Sequence, residues 1–267
     1  MQQVKQEPAG TDKIIRAGDL QVGVIDDGGD GLPLVLVHGG ESDRTQFTRL
    51  RSYLGPEIRA ISYDQRDSGV TVNPPEPYTM ETLADDLVDL LDALGLQRAN
   101  LLGTSFGGAL VQHTAIRHPD RVDSIILVCT TPSWALCPDR IDELLEMSHE
   151  DRQQALKDLF LTPEGQARLG DRAEKVLTYR DPAKSERRHA AMRGHEARDR
   201  LEDIKAPTLI VHGTDDLIAP YSGALYMQEH IPNAQLRTIE GGRHALALEF
   251  AEEVAGYVRE FLGVTTA

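Results

Sequence analysis

The stretch Asn100-Leu101-Leu102-Gly103-Thr104-Ser105-Phe106-Gly107-Gly108-Ala109-Leu110-Val111 turns from a short apolar run into an apolar helical pattern through a serine set among small residues. Asn100–Leu102 reads as a strand and Gly108–Ile116 as a helix, so Gly103-Thr104-Ser105-Phe106-Gly107 falls on a sharp strand-to-helix turn. Such a turn holds the serine in strained dihedrals, and flanking glycines let neighbouring backbone pass close by. The helix that follows aims its N-terminal N–H groups and dipole at the region beside the hydroxyl, where negative charge would develop. The pentapeptide pattern alone arises by chance; its place between strand and helix makes Ser105 a candidate nucleophile. A dinucleotide-binding turn is the rival reading of Gly103, Gly107 and Gly108. It fails because serine replaces the glycine that pyrophosphate approach requires, and the next strand ends at Val128-Cys129-Thr130 with no acid for a ribose.

Outward from this turn the same rhythm recurs. Apolar runs at Leu34–Val37, Ile58–Tyr63, Ser124–Val128, Thr208–Val211 and Gln235–Ile239 are short and bounded by Gly, Pro or charge, as suits strands buried on both faces. Two alternating runs, Ile14–Arg16 and Leu20–Ile25, read as an opening hairpin. Met80–Leu94 is the clearest helix: Leu83, Leu87, Leu90, Leu91 and Leu94 share a face, and Gly95 supplies the stop. Alternating strand and helix predicts βαβ crossovers and a mostly parallel central sheet flanked by helices, an α/β fold.

One interval breaks the rhythm. From Pro132 to Ala206 there is no convincing strand, only charged helical patterns at Arg140–Met147, Gln153–Phe160 and Lys184–Arg200. Of the chain's 28 basic and 43 acidic residues, 14 and 16 fall in 133–205, so this interval is nearly neutral while the remainder is strongly acidic. It reads as a helical lid, residues 132–206, inserted between two late strands of a core made of 11–131 and 207–265. The first ~10 residues read as disordered, being polar with Pro8 and Gly10.

A serine hydroxyl needs a base. Among nine histidines, His38 and His212 stand at strand ends before glycines and read as structural. His113, His118, His149, His189, His195 and His230 lie on or beside helices, where a solvated side chain is the default. His244 differs: it follows the last strand on the glycine-rich loop Glu240-Gly241-Gly242-Arg243, placed to reach across to Ser105. The base needs an acid to fix its tautomer, and after Thr208–Val211 comes Gly213-Thr214-Asp215-Asp216-Leu217-Ile218-Ala219-Pro220, where either aspartate can serve. The chain order Ser, Asp, His differs from those of chymotrypsin and subtilisin.

Val37-His38-Gly39-Gly40, Gly103–Gly108, Gly213–Pro220 and Gly242-Arg243-His244 together resemble the α/β-hydrolase superfamily, over about residues 20–263. The resemblance implies an α/β-hydrolase fold and a serine hydrolase, with Asp216 rather than Asp215 as the acid, and an oxyanion hole made by the N–H groups of Gly40 and Phe106. Serine at the turn separates the chain from haloalkane dehalogenases and epoxide hydrolases, which carry aspartate there. Tyr63-Asp64-Gln65-Arg66-Asp67-Ser68-Gly69 resembles the family's Asp-x-Arg-Gly-x-Gly loop, with Asp67 where glycine is usual. That variant resembles aclacinomycin methylesterases. Asp64-Gln65-Arg66 with His38-Gly39-Gly40 resembles proline iminopeptidases, but Glu41 and Ser42 replace the usual Pro-Gly. Asp64 and Arg66 read as ties between loops.

Hydrolysis of a small ester, lactone or thioester is the activity so implied. Peptidase, C–C hydrolase and perhydrolase chemistry on the same fold stay open, as does a receptor that keeps the pocket. Trp134 and Leu217 are candidates for the substrate pocket. Arg187, Arg188, Arg193, Arg198 and Arg200 are either a solvated helix face or a means of attracting an anionic substrate. No metal or cofactor motif is present. The net charge of −15 opposes nucleic-acid binding, and no apolar run approaches the ~18 residues of a membrane span. With no signal-peptide core in residues 1–30, the chain reads as cytoplasmic, with Cys129 and Cys137 as reduced thiols.

Overall fold

The computed structural model describes residues 10–138, 143, 144, 146–170 and 180–264. The expected disorder of the first residues, up to residue 9, and most of the helical pattern at Arg140–Met147 lie outside them. Eight strands form one sheet: β1 (Thr11–Ala17), β2 (Leu20–Asp26), β3 (Leu32–Val37), β4 (Ile58–Tyr63), β5 (Ala99–Thr104), β6 (Val122–Val128), β7 (Thr208–Gly213) and β8 (Gln235–Ile239). Their spatial order is β1-β2-β4-β3-β5-β6-β7-β8. The expected hairpin is present, with β1 antiparallel to β2, and β2 antiparallel to β4. Every other pairing is parallel.

The sheet is buried on both faces because the inner strands are mostly apolar, with polar positions such as Ser62, Asn100, Ser124 and His212 buried among them. Val35 and Val37 of β3, Leu101 of β5 and Ile125 and Leu127 of β6 face one helical layer. That layer contains α2 (Met80–Ala93), α3 (Phe106–Arg117) and α7 (Tyr221–His230). The alternate residues Leu34, Leu36, Leu102, Ile126 and Val128 face the other layer, built from α1 (Thr48–Leu54), α8 (Leu246–Glu249) and α9 (Ala251–Phe261). The period of two thus feeds two cores from one strand. Helix α2 starts on a reciprocal Thr79–Thr82 cap and ends where Gly95 takes φ 71, the left-handed turn that glycine adopts without a Cβ penalty.

Between β6 and β7 lie α4 (His149–Phe160), α5 (Pro163–Leu169) and α6 (Pro182–Arg193). The sequence pattern predicted one helix over Lys184–Arg200. The structure ends α6 at Arg193, because His195 and Glu196 turn back to the sheet. Trp134 N–H donates to the His195 carbonyl at 2.9 Å, and Ser133 pairs with Glu196 as an isolated bridge. A short 3-10 helix, Arg198–Asp203, leads into β7. No disulfide joins Cys129 to Cys137.

Candidate active site

Every candidate residue sits at or just beyond the carboxyl end of a parallel strand. Ser105 follows β5 with φ 52 and ψ −121, a left-handed backbone that costs ~1–3 kcal/mol for a residue with a Cβ. The neighbours enforce it. A Cβ on Gly107 would collide with the Val37 carbonyl, and one on Gly103 with the Gly107 carbonyl. Only glycine lets α3 cross this close to β3 and β5.

Ser105 Oγ lies 2.9 Å from His244 Nε2. His244 Nδ1 lies 2.8 Å from Asp216 Oδ2 and 3.0 Å from Oδ1. All three groups therefore meet, although 139 residues separate serine from histidine. Of the two aspartates, Asp216 is the one that turns inward: it is buried, and its Oδ1 also accepts the Ile218 and Ala219 N–H groups at 2.9 Å each. Asp215 is exposed. Burial alone would raise the Asp216 pKa, but the neighbouring His244, His212 and the backbone donors outweigh it and hold the carboxyl below its ordinary value. With Asp216 ionised, His244 keeps its proton on Nδ1 and presents Nε2 as acceptor to the serine.

The loop after β3 carries the second half of the site. Gly39 N–H is taken by Gln46 Oε1 at 2.8 Å. The Gly39 carbonyl accepts from His38 Nδ1 at 2.7 Å and from Arg188 Nη2 at 3.4 Å. The peptide is trans, so pinning that carbonyl turns the Gly40 N–H to the opposite side. The Gln65 N–H donates to His38 Nε2 at 3.3 Å, which fixes the tautomer that donates from Nδ1. Burial, and the charge of Arg188, hold the His38 pKa well below its ordinary value, so the ring stays neutral. Phe106 opens α3, and its N–H has no partner within the helix.

His38 and His212 are buried and hydrogen-bonded, as structural residues are; His212 donates to the Ala219 carbonyl at 2.8 Å. Asp64 ties loops, accepting from Arg44 and from Val70 N–H, and Arg66 bridges Asp19 and Asp86. Two expectations, those for the helix-borne histidines and for the arginine run, need correction. His113, His189 and His195 are buried, not solvated. His195 donates from Nε2 to the Thr131 carbonyl at 2.9 Å and accepts from His113 at 3.1 Å, while His189 meets Glu41 at 2.7 Å. Trp134 packs in a small cluster with Leu144, Leu156 and Ile218, and Leu217 is 42 % exposed. The arginine run is neither a uniform solvated face nor a free cationic one. Arg187 grips Asp67 at 2.7 and 2.8 Å, Arg198 pairs with Glu196 and Arg200 with Asp203, and Arg188 is fully buried.

Several residues of the site were not legible in the sequence. The Phe160 ring, at the end of α4, packs 4.9 Å from the His244 ring. Arg188 spreads over the Phe106 ring at 4.7 Å, and Met192 approaches Gly40. No local signal marks them, since each acts through tertiary contact. Cys129, Asp216 and His244 offer ligand atoms within 4.8 Å of one another. Burial, with the charge of Asp216, pushes the Cys129 thiol well up, which opposes the thiolate a metal would need.

The family model of the α/β hydrolase fold matches residues 33–196, more than half of the chain. The chain belongs to that family. Similar relatives include the putative carbamate hydrolase RutD of Agrobacterium fabrum, 32% identical over 204 residues that cover 72% of this chain and 78% of the relative. A 2-hydroxymuconate semialdehyde hydrolase of Pseudomonas putida is 28% identical over 260 residues, 91% of each chain. Among solved structures, a hydrolase from Pseudomonas aeruginosa superposes with a TM-score of 0.84 at 27% identity, covering 96% of this chain and 99% of the other. The chain is a hydrolase of the α/β fold. No helix among the described residues is long and apolar enough to cross a membrane.

Proposed function

We propose that this hydrolase cleaves a small carboxylic ester, lactone or thioester through an acyl-enzyme. The observation that carries the reading is the 2.9 Å approach of Ser105 Oγ to His244 Nε2, backed by Asp216 on the far nitrogen. His244 takes the serine proton as Oγ attacks the carbonyl carbon, and the Gly40 and Phe106 N–H groups receive the oxyanion. Each such donor supplies about 3 kcal/mol in comparable sites. His244 then protonates the leaving group, and the same base activates the water that releases the acid. Residues 132–206 act as the cap over this centre, with Phe160, Met192 and Trp134 on its apolar side. A carbamate presents the same carbonyl to the same nucleophile and falls within this chemistry. Removal of an N-terminal residue from a peptide fits less well, because a substrate ammonium would face Arg152, Arg180 and Arg188 beyond Gly40.

The test combines a fluorophosphonate probe with a substrate series. One adduct per chain, mapped to Ser105 and abolished in Ser105→Ala, is expected. It is paired with turnover of short nitrophenyl esters in preference to amino-acyl anilides. Turnover that survives Ser105→Ala would overturn the serine mechanism, and labelling without turnover of any ester would identify a receptor.

A further inference from the structure

Beyond Gly40 the chain assembles a buried cluster of cations that the mechanism does not use. Arg180, just ahead of α6, is 9 % exposed. Its Nη2 donates to the Ser42 carbonyl at 3.2 Å, while its Nε and Nη1 have no hydrogen-bond partner. That leaves three N–H donors unanswered on one buried guanidinium. The acid facing it, Glu41, stands 3.9 Å away and is already held by His189 at 2.7 Å and Arg152 at 3.1 Å. Tyr78, 6 % exposed, buries a hydroxyl that faces the Asp67 carboxylate and has no hydrogen-bond partner at close distance.

The charge balance of this cluster is lopsided. Among the described residues, Arg152, Arg180, Arg187 and Arg188 converge on only two carboxylates, Glu41 and Asp67. Asp67 is committed to Arg187. Arg188 pairs with no acid among the described residues: it donates to the carbonyls of Gly40 and Arg66 at 3.1 and 3.0 Å and to Gln65 Oε1 at 3.1 Å. Burying unpaired cations is costly, and a folded protein keeps them where an anion arrives. Burial, with the neighbouring charge of Arg188, lowers the Arg180 pKa to about 10, so it is still a cation at neutral pH. Burial pushes the Tyr78 phenol up to about 12, which keeps it a donor.

The cluster also adjoins the reacting centre. Glu41 and Ser42 follow Gly40 directly, and Arg188 links the Gly40 carbonyl to the Phe106 ring. Arg188 thus acts as a positioning residue for the oxyanion loop, and Arg180 is left with donors to spare. We propose that Arg180 and Tyr78 form a binding site for a carboxylate carried on the substrate, so that the ester cleaved at Ser105 belongs to an acid that keeps a second, free carboxyl group. This rests on the ester-hydrolase reading of the same site. Neutral esters of equal length lack the group that answers the buried N–H and O–H donors, and a site built for a polar partner discriminates strongly against its absence.

The test is calorimetric binding to full-length Ser105→Ala protein, using monomethyl glutarate against methyl pentanoate, with turnover of the matching nitrophenyl esters by wild type. The glutarate half-ester is expected to bind at least about tenfold more tightly. In Arg180→Gln that preference should collapse to about twofold or less; Arg180→Lys should restore part of it, and Tyr78→Phe should reduce it about threefold. The melting temperature of Arg180→Gln gives a reading that a structural arginine would not: it should hold or rise, because an unanswered charge has been removed. Equal binding of the two esters, or a preference unchanged in both Arg180→Gln and Tyr78→Phe, would overturn the site. Selective binding of the half-ester without turnover of any ester would leave the carboxylate site standing and sink the ester reaction instead.

Discussion

The sheet and the helical segment between β6 and β7 are held by different forces. In the sheet, Leu34, Leu102, Ile126 and Val211 are wholly buried among other apolar side chains. The segment has only small apolar clusters of its own. Its end joins the main core through Ala191, Ala197, Leu201 and Ile204, and the rest is fastened by polar ties: Arg187 to Asp67, Arg188 to the carbonyls of Gly40 and Arg66, Arg152 and His189 to Glu41, and His195 to Thr131. Apolar packing is non-directional and grows with area, whereas ion pairs and buried hydrogen bonds demand one geometry. The sheet half carries Ser105, Asp216 and His244, while the segment brings Phe160 against the His244 ring.

The comparison is broken most severely on the sheet side. Asp216→Asn should lower kcat by up to ~10⁴, since the imidazole would adopt the wrong tautomer, while Asp215→Asn should change it by no more than a few fold. Steady-state rates on one ester decide between them, and a larger loss for Asp215→Asn would reverse the assignment. Ile126→Ala, in the middle of the sheet, should cost about 2–5 kcal/mol in denaturant unfolding; a loss under about 1 kcal/mol would show that the sheet is not the stabilising half.

The segment is expected to lose stability in acid through His195, as the core does through the buried neutral His38 and His212. Burial, chiefly, lowers the His195 pKa from 6.5 to about 4. Above 6.5 neither the folded nor the unfolded state carries the proton; between 6.5 and 4 only the unfolded state binds it, so stability falls as pH falls through that window. The loss by pH 4.5 should be about 2–3 kcal/mol, read as the difference between wild-type and His195→Gln unfolding curves at pH 7.5 and 4.5. Parallel curves would remove His195 from the account. The smallest effect should come from Asp67→Asn, about 1–2 kcal/mol, because asparagine tolerates the left-handed backbone at Asp67 (φ 57) and only the charge is lost. A shift beyond about 4 kcal/mol would mean that this one pair holds the segment down.

The same division explains what the sequence disclosed. Ile58–Tyr63 and Gln235–Ile239 were legible to the residue, because Glu57, Asp64 and Glu240 bound runs in which apolar residues recur around Arg59 and Arg237. The meeting of Ser105 and His244 followed from strand order and loop position, and the choice of Asp216 over Asp215 from the family resemblance. The segment was opaque for the opposite reason. Arg187 and Arg188 look alike in a charged run, yet one pairs with Asp67 and the other is buried against carbonyls on two core loops. His189 and His195 read as solvated because their partners, Glu41 and Thr131, are distant in sequence. Lys184–Arg200 kept a helical pattern past Gly194, but the backbone pairing of Ser133 with Glu196 overrode it.

The placement of the site also sets when it comes into being. Ser105 follows β5 early in the chain, but its partner His244 follows β8, the edge strand paired with β7. During synthesis, at about 5–20 residues per second, the elbow is made many seconds before residue 244 emerges. Nascent chains thus carry Ser105 without His244, and the two can meet only once the last strand has been made.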